Sequence, residues 1–223
     1  ALGLKMIHPC LRENSGEIEA ASENKLPKLV TLENLRGTFH NHTTASDGKN
    51  TLEEMANAAK DLGMQYLGIS DHSKSSVQAN GLSAEKLLSQ TKEIQSLNDS
   101  FSNDFRLFSG IECDILKDGT LDYDDDILSE LDYCIASIHS SFSLTEKEMT
   151  SRIVKAIENP HVTMIGHLTG RLLLSRKPYS VDVSKIIDAC ASNHTHIEIN
   201  ANPRRLDMDW RWWRQAKDKG VKC

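Results

Sequence analysis

From Gly37 onward the chain alternates short apolar runs with amphipathic stretches. The runs are "GTFH" (37–40), "QYLGIS" (65–70), "FRLFSGIE" (105–112), "YCIASIH" (133–139), "VTMIGH" (162–167) and "HIEIN" (196–200). Each is short enough to be a buried strand and carries β-branched or aromatic residues. Between them the spacing predicts helices near 51–62, 83–98, 146–158, 182–192 and 208–219. Asn50 with Glu53, and Thr145 with Glu148, fit capping boxes at helix starts. Gly63 and Gly220 stand where helices end, and Pro160 follows the fourth. Residues 1–36 read as a polar approach segment with a short helical piece at 16–23. Six strand–helix repeats imply parallel strands with right-handed crossovers, a pattern shared by an open doubly wound sheet and a closed barrel.

The polar residues separate those two folds. His40, Asp71, Glu112, His139, His167 and Asn200 all fall at or just beyond the C-terminal ends of their runs. In a barrel these ends converge on one face, where active sites lie, whereas an open sheet would spread them along an edge. A barrel is therefore expected over residues 37–223.

Composition narrows the class. The 223 residues carry a formal net charge of -6 and include five dispersed cysteines without a C-x-x-C pair. Dispersed thiols suggest a reducing, cytoplasmic setting. No apolar run approaches the ~20 residues of a membrane helix, so no membrane partner is expected. The acidic balance argues against a chain that grips nucleic acid unaided. Cys113 and Cys134 lie in apolar segments and read as core.

Taken singly, each candidate has an ordinary reading: His40 and His42 as surface histidines, Asp47 in "SDG" as a turn residue, His72 as a loop residue. Glu112 is harder to dismiss, because a carboxylate ending an apolar strand needs partners to offset desolvation. His139 and His167 end their strands in the same way. Together they point to a polynuclear metal centre. Imidazole and carboxylate donors suit Zn²⁺, Mn²⁺ or Fe²⁺, and Glu112 is placed to bridge two ions of a phosphoryl-transfer site. Asp71 is expected to orient His72 or another ligand from behind. His8, His161, His194 and His196 miss the strand ends and read as structural or exposed. Arg171, Arg204 and Arg205 follow strand ends and suit a phosphate clamp. Asn200 and Asn202 are candidate substrate contacts there. Trp210, Trp212 and Trp213 read as packing on the last helix.

"HNHTTASDG", "ISDHS", "GIECDIL", "ASIHSS" and "GHLTGR" resemble the motifs of the PHP (polymerase and histidinol phosphatase) domain. The longer strings "SGEIEAA", "LDYDDDILSELDYCIASIHSS", "AIENPHVTMIGHLTGRLL" and "EINANPRRLD" resemble the C-terminal PHP domain of bacterial family X DNA polymerases. The resemblance implies an α/β fold, a distorted (β/α)₇ barrel preceded by a polymerase domain. It implies a metal-dependent 3′–5′ exonuclease acting on DNA ends in repair, with up to three divalent ions, commonly Mn²⁺. His40, His42 and Glu112 would then hold a first ion, Glu112, His139 and His167 a second, and Asp47 and His72 a third. The family also ends with a D-x-H motif on its last strand, whereas this sequence stops at "DKGVKC". An incomplete barrel lacking its last strand–helix unit is expected, with weakened metal loading and activity. Two other functions share these residues: a small-molecule phosphatase of the histidinol phosphatase kind, and a catalytically idle module supporting a polymerase.

Overall fold

The computed structural model describes residues 3–101 and 104–223. These form two compact units, divided between Leu35 and Arg36. The first contains α1 (Glu17–Ser22), where the Glu17 carboxylate accepts the backbone N–H groups of Asn14 at 2.9 Å and Ser15 at 2.7 Å. Met6, Val30 and Leu32 of this unit are exposed.

The second unit is built on six strands: β1 (Gly37–Thr38), β2 (Tyr66–Ile69), β3 (Arg106–Asp114), β4 (Tyr133–Ser137), β5 (Met164–Ile165) and β6 (His196–Ile197). They pair in sequence order and every pair is parallel. The sheet is curled. β1 and β6 are its two edges, yet His40 just past β1 meets the Glu198 carboxylate just past β6. The result is an all-parallel half-barrel, as the strand-end pattern predicts. Ile197 also donates its N–H to the Lys222 carbonyl at 3.1 Å, on the free side of β6.

The helices are α2 (Leu52–Asp61), α3 (Ala84–Ser100), α4 (Asp125–Leu128), α5 (Glu146–Ile157), α6 (Val183–Asn193) and α7 (Trp213–Asp218). The short α4 has no counterpart in the sequence reading. The Thr145–Glu148 capping box is present, but α2 is capped by Thr51 with Glu54, one residue later than expected. Gly63 and Gly220 take positive φ of 74° and 78° at helix ends. The expected helix over 208–219 is divided: Trp210–Trp212 form a 3₁₀ turn, begun by the Asp209 side chain accepting from Arg211 N, before α7. Trp212 and Trp213 pack against the core, while Trp210 is exposed.

Strand alternation sorts the side chains into two populations. Leu67 and Ile69 of β2, with Leu107 of β3, pack under α2 and α3. Ile111 and Cys113 of β3 meet Cys134 of β4 and Leu87 of α3. Ala136, Ile165 and Ile197 lie beneath α5 and α6. The other parity (Gly110, Glu112 and Asp114 on β3; Tyr133, Ile135, Ser137 and then His139 on β4) faces the hollow of the curl. An aromatic group of Phe39, Tyr66, Phe108 and Tyr133 fills its floor. Tyr133 donates its hydroxyl to the Phe39 carbonyl at 2.7 Å, fixing the backbone one residue before His40. Gly110 makes room for that ring, since a Cβ there would lie 2.4 Å from it.

Candidate metal centre

Glu112 lies at the centre of the site and is only 1% exposed. Its Oε1 is 2.9 Å from His167 Nε2 and 3.1 Å from both His40 Nε2 and His139 Nε2. Its Oε2 is 3.1 Å from His72 Nδ1 and 3.5 Å from His42 Nε2. The five imidazoles close a ring around it, His40–His42–His72–His139–His167 and back to His40, with neighbouring centroids 4.5–5.8 Å apart. Asp47 sits outside the ring, 3.6 Å from His42 Nδ1 and 3.7 Å from His72 Nε2.

Three groups here bring ligand atoms close enough to hold a metal ion: His40–His42–Glu112, His42–Asp47–His72 and His72–Glu112–His139. The first is the trio expected for one ion. The second adds His42 to the expected Asp47 and His72. The third has His72 where His167 was expected, although His167 touches the same Glu112 oxygen. The donor chemistry fits metal ions. Nδ1 of His42, His72 and His167 is buried and lacks a hydrogen-bond partner among the described residues, and orphaned buried groups of this kind call for a ligand. The His72 nitrogen is unpaired despite its 3.1 Å approach to Glu112, because the contact is not aligned as a hydrogen bond. His8, His161, His194 and His196 join none of these groups.

The electrostatics of the metal-free chain follow from this ring. Burial alone would raise the Glu112 pKa, but the charge on His40 and hydrogen bonds from His139 and His167 hold it well below the usual carboxylate range. Burial likewise opposes protonation of His40, yet Glu112 and Glu198 outweigh it and raise its pKa to about 10. His139 is raised to about 9, with Asp114 and Glu112 overcoming burial. For His42 and His167 burial prevails and the pKa is lowered.

Two carboxylates that the sequence reading passed over hold these imidazoles from behind. His40 Nδ1 bonds Glu198, and His139 Nδ1 bonds Asp114 at 2.9 Å. Glu198 also accepts the His167 backbone N–H at 2.6 Å. Such partners fix the tautomer and leave Nε2 free for a ligand. Period-2 spacing signals both: Asp114 is two past Glu112, and Glu198 is two past the strand residue His196. His167 itself departs from alternation. It follows Ile165 in parity, but a positive φ of 22° turns it into the ring.

The remaining expected residues make defined contacts. Asp71, expected behind His72 or another ligand, makes no side-chain hydrogen bond to His72 among the described residues and supports another ligand loop instead. It lies on the opposite parity, 0% exposed, and accepts from Thr43 N at 2.7 Å, Thr43 Oγ1 at 2.7 Å, Ser46 Oγ at 2.5 Å and Gln90 Nε2 at 2.6 Å. It therefore anchors the loop that carries His42 and Asp47. Arg171, expected to clamp phosphate, is anchored by the Arg205 carbonyl at 2.8 Å, the Leu206 carbonyl and Asp209 Oδ2 at 2.9 Å. The Asn200 amide donates to Glu198 Oε2 at 3.2 Å and so braces Glu198. The Asn202 side chain accepts the Arg204 N–H at 3.0 Å within an exposed turn, where Arg204 is also exposed. Arg205 differs: its Nη1 is buried without a hydrogen-bond partner among the described residues, and its charge helps lower the His167 pKa.

A curled parallel sheet with histidines and carboxylates at its strand ends defines a class of metal-site barrels, and the chain belongs to the PHP domain family, whose model matches residues 38–202. Within that family it is similar to the DNA polymerase/3′-5′ exonuclease PolX of Bacillus subtilis (strain 168), 45% identical over 98% of this chain and 38% of that protein. It is also 30% identical to a protein named as a probable phosphatase from Caldicellulosiruptor saccharolyticus, over 72% of this chain and 64% of that one. Among solved structures, a chain assigned as a histidinol phosphatase from Listeria monocytogenes shares the fold, with a TM-score of 0.62 at 14% identity over 83% of this chain and 92% of that chain. This chain thus spans less than two thirds of the length of the relatives it matches by sequence.

Proposed function

We propose that the chain is a metal-dependent phosphodiesterase that acts on DNA ends as a 3′–5′ exonuclease, the C-terminal module of a family X DNA polymerase. In this reading residues 1–36 lead in from a polymerase domain, and residues 37–223 are the hydrolytic domain, working in the cytoplasm in DNA repair. The observation that carries it is the buried Glu112 carboxylate inside a closed ring of five imidazoles. The similarity to PolX over 98% of this chain favours DNA as substrate. The five free thiols suit a reducing compartment.

Divalent ions held by His40, His42, Asp47, His72, Glu112, His139 and His167, with Mn²⁺ foremost and Zn²⁺ or Fe²⁺ as alternatives, would polarise a phosphoryl group and generate a nucleophile from water near neutral pH. The protein's own groups do the rest. Glu112 offers one oxygen to each side of the site. Glu198 and Asp114 hold the protons at Nδ1 of His40 and His139. Asp71 keeps the His42–Asp47 loop in register. Arg205 Nη1, buried and without a partner among the described residues, would donate to a phosphate oxygen.

The experiment is hydrolysis of end-labelled single-stranded DNA, abasic DNA and a small sugar phosphate by the purified chain with Mn²⁺. Shortening of the oligonucleotide from its 3′ end is the expected result. Turnover of the small phosphate alone would favour the second reading, a small-molecule phosphatase, to which the 30%-identical relative points. Arg205→Ala should raise KM for DNA and leave metal content unchanged.

A further inference from the structure

A groove of about 660 Å³ opens between the segment 169–183 and the turn 209–212. It lies within the roughly 300–1,000 Å³ range of ligand clefts. Arg171, Arg176, Lys177 and Arg211 line it against a single carboxylate, Asp209, an excess of three positive charges. The whole chain carries -6. A cationic groove in an acidic protein concentrates field on one path. Trp212 adds an aromatic surface to the lining.

The groove is tied to the site through the chain after β5. Thr169, two residues past His167, lies in its wall, and Tyr179 donates its hydroxyl to the Leu168 carbonyl. Arg171 binds the Arg205 carbonyl at 2.8 Å. Arg176 is fixed by Gly170 O at 2.9 and 2.7 Å and lies 4.6 Å over the Phe142 ring. Arg211 is held by both Asp209 oxygens, at 2.8 and 2.9 Å. Lys177 is exposed and makes no described side-chain contact. Three of the cations are thus held in place, and the fourth, Lys177, is free to move with a ligand.

We propose that this groove binds the sugar–phosphate backbone of single-stranded nucleic acid next to the phosphate at the metal centre. The assignment rests on the phosphodiesterase reading above and deepens it. It supplies the grip that net charge denies the chain as a whole. Spaced cations with an aromatic face suit a flexible polyanion, and a phosphomonoester would reach only the metal-centre end.

The test is binding of fluorescently labelled oligothymidylate of about 12 nucleotides, inside the range of single-strand sites, followed by anisotropy with chelator present. Lys177→Glu should weaken binding about tenfold, and the slope of log affinity against log salt should fall by about 0.7 per lost phosphate contact. Lys92→Glu, an equal charge change on α3, should bind as the parent does. Undetectable binding by the parent, equal binding by Lys177→Glu, or equal weakening by Lys92→Glu would each overturn the groove. Hydrolysis of bis(p-nitrophenyl) phosphate with Mn²⁺ is measured in parallel. Its absence, beside Lys177-sensitive DNA binding, would count against the phosphodiesterase and leave the groove standing.

Discussion

Glu198 and Asp114 do at the residue scale what the seven candidate ligands cannot do for themselves: they choose the tautomers. Glu198→Gln and Asp114→Asn remove an acceptor charge without changing side-chain size. Each is expected to weaken metal binding about 10–100-fold, read by competition with a chromophoric chelator, while circular dichroism stays that of the parent. The same contacts set a pH dependence in the metal-free chain. The pKa of His40 rises from about 6.5 unfolded to about 10 folded, and that of His139 to about 9. A raised histidine contributes stability that is fully present below its unfolded pKa and is lost as pH climbs through the folded value. Chelator-treated protein should therefore lose stability between about pH 6.5 and pH 10, measured as a falling urea midpoint. A midpoint that rises over that range would show that the two imidazoles are not held as cations.

The loop between β1 and α2 shows how an element depends on one buried group. It carries His42 and Asp47, and its anchor is Asp71 through Thr43, Ser46 and, from α3, Gln90. Asp71→Ala leaves these donors without an acceptor, each costing about 1–3 kcal/mol when it stays buried. A urea midpoint lowered accordingly, with metal lost first from the His42–Asp47–His72 group, is the expected outcome. Unchanged stability would mean that water replaces the carboxylate without loss. The strand order and the helices α2, α3, α5 and α6 were legible in the sequence because each obeys one period, whereas the short α4 and the divided last helix were not. The supporting role expected of Asp71 falls on the His42–Asp47 loop and not on His72, because "ISDHS" puts it beside His72 in sequence whereas alternation puts the two side chains on opposite faces. His167 was legible from its place at a strand end but not from alternation, since its orientation comes from a positive φ that spacing does not encode. The cap of α2 was misplaced by one residue because Asn50 and Thr51 are both good caps with glutamates three residues on, and only the built turn selects Thr51. The anchoring of Arg171 was not legible, because position after a strand says nothing about Asp209, brought close by a later turn.

At the scale of the whole molecule, the six strand ends converge because the sheet curls, and Glu112 is buried because five imidazoles from four loops close over it. Helices pack on the convex side and leave the concave side to polar chemistry. None among the described residues is long and apolar enough to cross a membrane. The central claim is that this concave face hydrolyses phosphodiesters with metal ions organised around Glu112. The most direct test compares the parent chain with Glu112→Gln on bis(p-nitrophenyl) phosphate, with Mn²⁺, with chelator, and after Mn²⁺ is restored, metal content being measured in each. The parent should be active with Mn²⁺, silent with chelator and active again on restoration. Glu112→Gln should bind fewer ions and lose activity by about 10²–10³-fold or more, the scale set by one transition-state contact. Hydrolysis that survives the chelator, or a Glu112→Gln protein with full metal content and parental activity, would contradict the account.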